Sequence, residues 1–220
     1  MIKGIIFDMD GLLIDSEPLW QQAEIKIFGQ LGLNLTVDMC RETMGLRIDE
    51  VVKYWFNKHT LDTEDTLETV GNNILEELQY YIKNEAEPLP GVFEVIEFLQ
   101  SKKLPLALAS SSPSSVIHTV LEKLGIKENF KVINSAEAEV YGKPHPGVYI
   151  RTATDLNILA VESLVFEDSF NGLLAAKSAR MKAVAVPEKA SFEDPRFSIA
   201  NEKLRSLLDF NEEVWKRLNQ

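Results

Sequence analysis

The sequence predicts an α/β protein: a Rossmann-like parallel sheet core with an α-helical cap inserted after the first strand. Three observations lead there. Short apolar runs at 2–8, 104–110, 131–135, 163–168 and 182–187 show little of the period-two alternation of a half-exposed strand, so they read as strands buried on both faces. Helical patterns separate the later runs, and strand alternating with helix gives right-handed crossovers and a parallel sheet. The stretch 17–86 contains no convincing strand, only amphipathic helical spacing.

The first strand, "IKGIIFD" (2–8), runs straight into Asp10 and Gly11. In the insertion, "LETVGNNILEELQYYI" puts Leu67, Val70, Ile74, Leu78 and Tyr81 on one helical face. "EAEPLPG" (85–91) carries two prolines and a glycine, a hinge back to the α/β pattern. The expected division is therefore 1–16 with 87–220 as core and 17–86 as cap. Helices follow at 91–103, 113–125, 146–157 and 171–181, with Pro113, Pro146 and Asn171 placed as helix starts and Gly125 as a helix end. A large insertion at the C-terminal end of a strand lies where open α/β sheets bind ligands, which places it as a lid.

The chain has 220 residues, enough for a substantial core. Its formal net charge of −11 argues against an electrostatic grip on nucleic acid or on an anionic membrane, since both need a positive footprint. Cys40 is the single cysteine, so no intrachain disulfide forms; it reads as an inert buried thiol in a reducing compartment. No leader pattern precedes the first strand and no apolar run approaches the length of a membrane span. A cytoplasmic protein is expected.

Chemistry concentrates at strand ends. Asp8 and Asp10 point the same way in extended chain, and two like charges there are costly unless a metal or a proton neutralises them. D-x-D-G is also ordinary turn chemistry. Ser110, Ser111 and Ser112 end the next strand ahead of Pro113, as an anion cradle or a plain helix cap. Lys143 in "YGKPHP" (141–146) is either solvated or turned inward to neutralise a phosphate and a carboxylate together. Glu167 and Asp168 close "VFED", as a solvated loop or as part of a hard-cation site of oxygen ligands, which suits Mg²⁺. His59, His118 and His145 make no metal spacing. Taken together, Asp8, Asp168 and a phosphate dianion carry four negative charges, and Mg²⁺ with Lys143 returns three. Metal dependence follows from that balance.

Read in order, "FDMDG" (7–11), Ser110, Lys143 before Pro144, and "ED" (167–168) resemble the four motifs of the haloacid dehalogenase-like hydrolase superfamily, in its capped phosphatase branch. "FDMDGLLIDSEPLW", "MGLRIDEVV", "KPHPGVY", "EDSFNGLLAAKSARM" and "DPRF" are similar to the bacterial hexitol and 2-deoxyglucose-6-phosphate phosphatase group. The resemblance implies that Asp8 attacks phosphorus and becomes a transient aspartyl phosphate. Asp10 then protonates the leaving alcohol and later deprotonates water. It implies Mg²⁺ on the Asp8 carboxylate, the Asp10 backbone carbonyl and Asp168, with Glu167 supporting. Ser110 and Ser111 hold phosphoryl oxygens, and Lys143 stabilises the charge of Asp8 and the phosphate. The implied substrates are small phosphorylated sugars or polyols, such as 2-deoxyglucose 6-phosphate and sorbitol 6-phosphate.

The competing enzyme reading is a β-phosphoglucomutase-like phosphomutase, but mutases of that kind carry a histidine where Trp20 stands. Dehalogenases of this superfamily lack the acid–base that Asp10 provides. Phosphonatase chemistry needs a cap lysine, and nothing singles out Lys26, Lys53 or Lys58. A silent binding module would not retain acids at all these sites. Specificity is expected from the cap: Trp20 can pack on a sugar face or form cap core, and Arg47 can reach a hydroxyl or phosphate or form a surface ion pair. A monomer is expected, because the cap must move.

Overall fold

The computed structural model describes residues 1–43, 46–61 and 63–220. Met44 and Gly45, which open the "MGLRIDEVV" stretch, and Asp62 lie outside the described residues. Two compact units emerge, one from Met1–Asp15 with Glu87–Gln220 and the other from Ser16–Ala86.

The first unit is a parallel sheet in the order β3-β2-β1-β4-β5-β6. Its strands are β1 (Gly4–Phe7), β2 (Leu106–Ser110), β3 (Phe130–Ser135), β4 (Ser163–Glu167), β5 (Lys182–Ala185) and β6 (Glu202–Lys203). β1, β2 and β4 are buried at every residue, as an all-parallel sheet covered on both faces requires. The five predicted runs are the first five strands. β6 goes beyond the sequence reading: its two half-buried residues, both charged, pair in parallel with Val184 and Ala185.

Strand parity sorts the core. Ile6, Ala107, Ala109, Val165, Ala183 and Ala185 share one cluster with α7 (Gly147–Asp155) and α8 (Phe170–Ser178). The residues of opposite parity are large: Phe7 stacks on Phe166 at 4.8 Å, and Phe166 meets Phe210 edge-on at 4.9 Å. Between β1 and α7 the chain forms α5 (Val92–Ser101) and α6 (Ser114–Leu124), and it ends in α9 (Glu212–Leu218). Pro113 and Pro146 are the N-caps of α6 and α7, and Gly125 closes α6. Asn171 is not a helix start. Ser169 caps α8, its Oγ accepting from Gly172 N at 3.1 Å, which satisfies a first-turn donor two residues earlier than expected.

The second unit is helical: α1 (Glu17–Gln30), α2 (Val37–Cys40), α3 (Ile48–Lys58) and α4 (Leu67–Glu85). Thr36 and Thr66 cap α2 and α4 through their hydroxyls. Val70, Ile74 and Leu78 are buried as the spacing predicts, whereas Leu67 in the first turn is exposed and Tyr81 half-buried, with Ile82 taking the buried position. Cys40 is buried, and burial beside Glu24 pushes its thiol up to about 12, which keeps it inert. Among the described residues, no helix is long and apolar enough to cross a membrane.

Candidate active site

The sheet order reverses between β1, whose chain leaves toward β2, and β4, whose chain leaves toward β5. Ligands of open α/β sheets bind outside the strand ends at such a switch point. Parity then decides which side chains arrive there. Ile6 and Val165 face the α7/α8 cluster, and the same parity two residues on brings Asp8 and Glu167 to that side. Phe7 pairs with Phe166, and Asp8 N donates to Phe166 O at 3.0 Å, so the two acids emerge side by side.

Lys143 answers them. Its Nζ donates to Asp8 Oδ1 at 2.8 Å, to Glu167 Oε1 at 2.7 Å and to Ala109 O at 3.3 Å, using all three N–H groups. Its side chain is only 6% exposed, so the inward alternative holds and the solvated one does not. Glu167 is fully buried with both oxygens engaged. Tyr149 OH donates to Oε1 at 2.6 Å, while Ser169 N and Ser169 Oγ both donate to Oε2 at 3.0 Å.

Asp168 completes the cluster: oxygens of Asp8, Glu167 and Asp168 lie within 4.8 Å of one another. Gly11 makes room for it. Its φ is +71°, and a Cβ there would stand 2.2 Å from Asp168 Oδ2, so D-x-D-G is both a turn and a close approach. Asp10 sits on the serine run, its Oδ2 accepting from Ser112 Oγ at 2.7 Å and Ser110 Oγ at 3.2 Å. Ser112 N in turn donates to Ser110 Oγ at 3.0 Å, and Ser135 Oγ on β3 donates to Ser112 O at 2.7 Å.

The electrostatics describe a pocket short of positive charge. Burial pushes Asp8 up to about 7 against the pull of Lys143, with Glu167 and Asp10 adding repulsion. Burial and repulsion from Glu167 and Asp8 hold Asp168 well above the usual carboxylate range. At Lys143 burial opposes the charge, but attraction to Asp8 and Glu167 outweighs it and raises the ammonium's pKa. Buried carboxylates offering hard oxygen donors, with one ammonium among them, fit a Mg²⁺ ion. Because Glu167 is already saturated by hydrogen bonds, Asp8 and Asp168 are the better donors.

The sequence-derived set thus converges in part. Asp8, Lys143, Glu167 and Asp168 form one cluster, and Asp10 with Ser110 adjoins it through charge. The second hydroxyl on Asp10 is that of Ser112; Ser111 is half-buried beside it. Trp20 is half-buried on α1, and Arg47 precedes α3 with its Nε 3.2 Å from Asp49 Oδ1, both within the helical unit. Tyr149 and Ser169 fall within the stretches "KPHPGVY" and "EDSFNGLLAAKSARM", but nothing in those stretches assigns either a role. A buried tyrosine hydroxyl needs a partner, however, and "ED" followed by serine at a helix start was the available hint.

A family model described as haloacid dehalogenase-like hydrolase matches residues 5–186. Hexitol phosphatase B of Escherichia coli (strain K12) is 39% identical over 210 residues, 94% of each chain. The phosphorylated carbohydrates phosphatase of Thermotoga maritima is 33% identical over 183 residues, 83% of this chain and 84% of that one. A crystal structure of β-phosphoglucomutase from Clostridium difficile superposes with a TM-score of 0.84 at 23% identity, covering 100% of this chain and 98% of the other. That is a likeness of fold.

Proposed function

This chain belongs to the haloacid dehalogenase-like hydrolase family, and on that footing we propose that it is a Mg²⁺-dependent phosphatase of small sugar or hexitol phosphates. One observation supports this reading above the rest: Asp8 is held at the switch point by Lys143 with Asp168 beside it. An acid so buried and so crowded gains nothing structural from its place.

In this reading an Asp8 oxygen attacks phosphorus as the bond to the sugar oxygen breaks, and Asp10 gives that oxygen its proton. The aspartyl phosphate is then cleaved when Asp10 takes a proton from water and the water oxygen attacks phosphorus. Inorganic phosphate leaves, Asp8 is restored as carboxylate, and Asp10 is again protonated. Ser110 and Ser112 orient Asp10 through its Oδ2. Lys143 neutralises Asp8 and the transferring phosphoryl group, and Ser110 and Ser111 bind phosphoryl oxygens. Asp8, Asp168 and the Asp10 carbonyl would hold Mg²⁺, whose charge would keep Asp8 anionic beside an anionic substrate. Trp20 and Arg47 are the proposed specificity residues of the helical unit, acting as a cap.

The hexitol phosphatase relative, at 39% identity, supports the sugar or polyol class. A panel of phosphate esters, with and without Mg²⁺, tests it. Hydrolysis of sorbitol 6-phosphate and 2-deoxyglucose 6-phosphate that ends on adding chelator is expected. Isomerisation of β-glucose 1-phosphate dependent on glucose 1,6-bisphosphate would instead establish the mutase.

A further inference from the structure

We propose that Tyr149 is a positioning residue for this reaction, holding Lys143 on Asp8 through Glu167; the proposal rests on the phosphatase reading above. Lys143 reaches the site on a flexible four-carbon stem, and its bond to Asp8 must change in every turnover. Asp8 begins as a carboxylate, becomes an acyl phosphate and returns. A lysine anchored by that acid alone would lose its anchor at the moment its charge is needed. Two acceptors remain, Ala109 O at 3.3 Å and Glu167 at 2.7 Å. Glu167 is the closer and charged one, takes no part in bond making, and receives three further hydrogen bonds.

Its Oε2 is tied to the start of α8 by Ser169 N and Ser169 Oγ, each at 3.0 Å. Its Oε1 is shared between Lys143 at 2.7 Å and Tyr149 OH at 2.6 Å. Gly172 is its floor: a Cβ there would fall 1.6 Å from Oε1. Tyr149 touches both partners, because its ring centroid also lies 4.8 Å from Lys143 Nζ, within cation–π range. The side chain is fully buried on the first turn of α7, six residues after the lysine it steadies. The phenol is a donor that does not titrate near neutrality, so its hold on Glu167 persists as the charge on Asp8 changes.

Tyr149→Phe removes the hydroxyl and keeps the ring. Two measurements on the full chain are paired: Mg²⁺-dependent hydrolysis of sorbitol 6-phosphate and p-nitrophenyl phosphate, and water exchange of the Lys143 ammonium protons by NMR without metal or substrate. We expect kcat to fall about tenfold on both esters with KM within about twofold, and ammonium exchange to accelerate about tenfold. A wild-type-like kcat overturns the proposal, and so does a fall in kcat with unchanged exchange. A change in melting temperature alone marks a structural tyrosine and also overturns it. Should the wild type hydrolyse no ester, the phosphatase reading fails separately, and the ammonium exchange still decides whether Tyr149 holds Lys143. Tyr149→Leu, which also removes the ring, should lose more activity than Tyr149→Phe; equal loss would place the effect elsewhere.

Discussion

Lys143 separates charge that the fold could not otherwise hold. Its side chain is 6% exposed and it faces two acids that are themselves 9% and 0% exposed. Breaking a buried pair by deleting one partner leaves uncompensated charge, so Lys143→Ala should destabilise the protein by about 3–5 kcal/mol in chemical denaturation at neutral pH. A loss under about 1 kcal/mol would mean that water already screens the cluster. Gly11→Ala should be damaging for a different reason, since its new methyl would stand against Asp168 in a left-handed backbone. Most of this cluster was legible in the sequence, because acids that end apolar strands have few uses. Ser112 was not distinguishable from its serine neighbours, and Tyr149 lies on a helix face, with Val148, Thr152 and Ala153, that reads as packing alone.

The helical unit holds a further buried acid, Glu24 on α1, beside Cys40 on α2. Glu24 is buried, and its Oε2 has no hydrogen-bond partner among the described residues. Burial, then repulsion from Glu17, raises it from the ordinary 4.5 to about 7 against a hydrogen bond to Cys40. The folded state therefore binds this proton more tightly than the unfolded chain does. The stabilisation is full below the unfolded pKa and is lost as pH rises through about 7. Glu24→Gln should thus be more stable than wild type at pH 8 by roughly 2–3 kcal/mol and level with it near pH 4. Melting curves at the two pH values check this, and equal stability at pH 8 would show Glu24 ionised at no cost. The helices α5 to α8 and the helical insertion followed from periodicity, and the first five strands from unbroken apolar runs. Ser169 rather than Asn171 began α8, because the cap hydroxyl, not the first strong helix signal, sets the start. β6 carries no apolar pattern, being Glu202 and Lys203 alone, and α9 spans only seven residues with two of them buried, Val214 and Leu218.

Across the whole molecule, one unit carries the acids and the lysine, and the other carries Trp20 and Arg47. The proposed division of labour makes Arg47→Ala raise KM for sugar phosphates several-fold while leaving p-nitrophenyl phosphate little changed, because that ester presents no hydroxyls to read. Equal effects on both esters would remove Arg47 from recognition and leave its pairing with Asp49 as its role. The insertion itself was legible from the break in strand–helix alternation. Which sugar it would select under the proposed function was not, because recognition depends on the placement of a few side chains rather than on any repeating pattern. The most direct measurement is rapid acid quench during turnover in Mg²⁺, followed by mass spectrometry of the peptide containing Asp8 and Asp10. The mechanism predicts a phosphoryl group on Asp8 that is absent with chelator and absent in Asp8→Asn, which should also be inactive. Turnover that proceeds with Asp8 unmodified, or that survives Asp8→Asn, would contradict it.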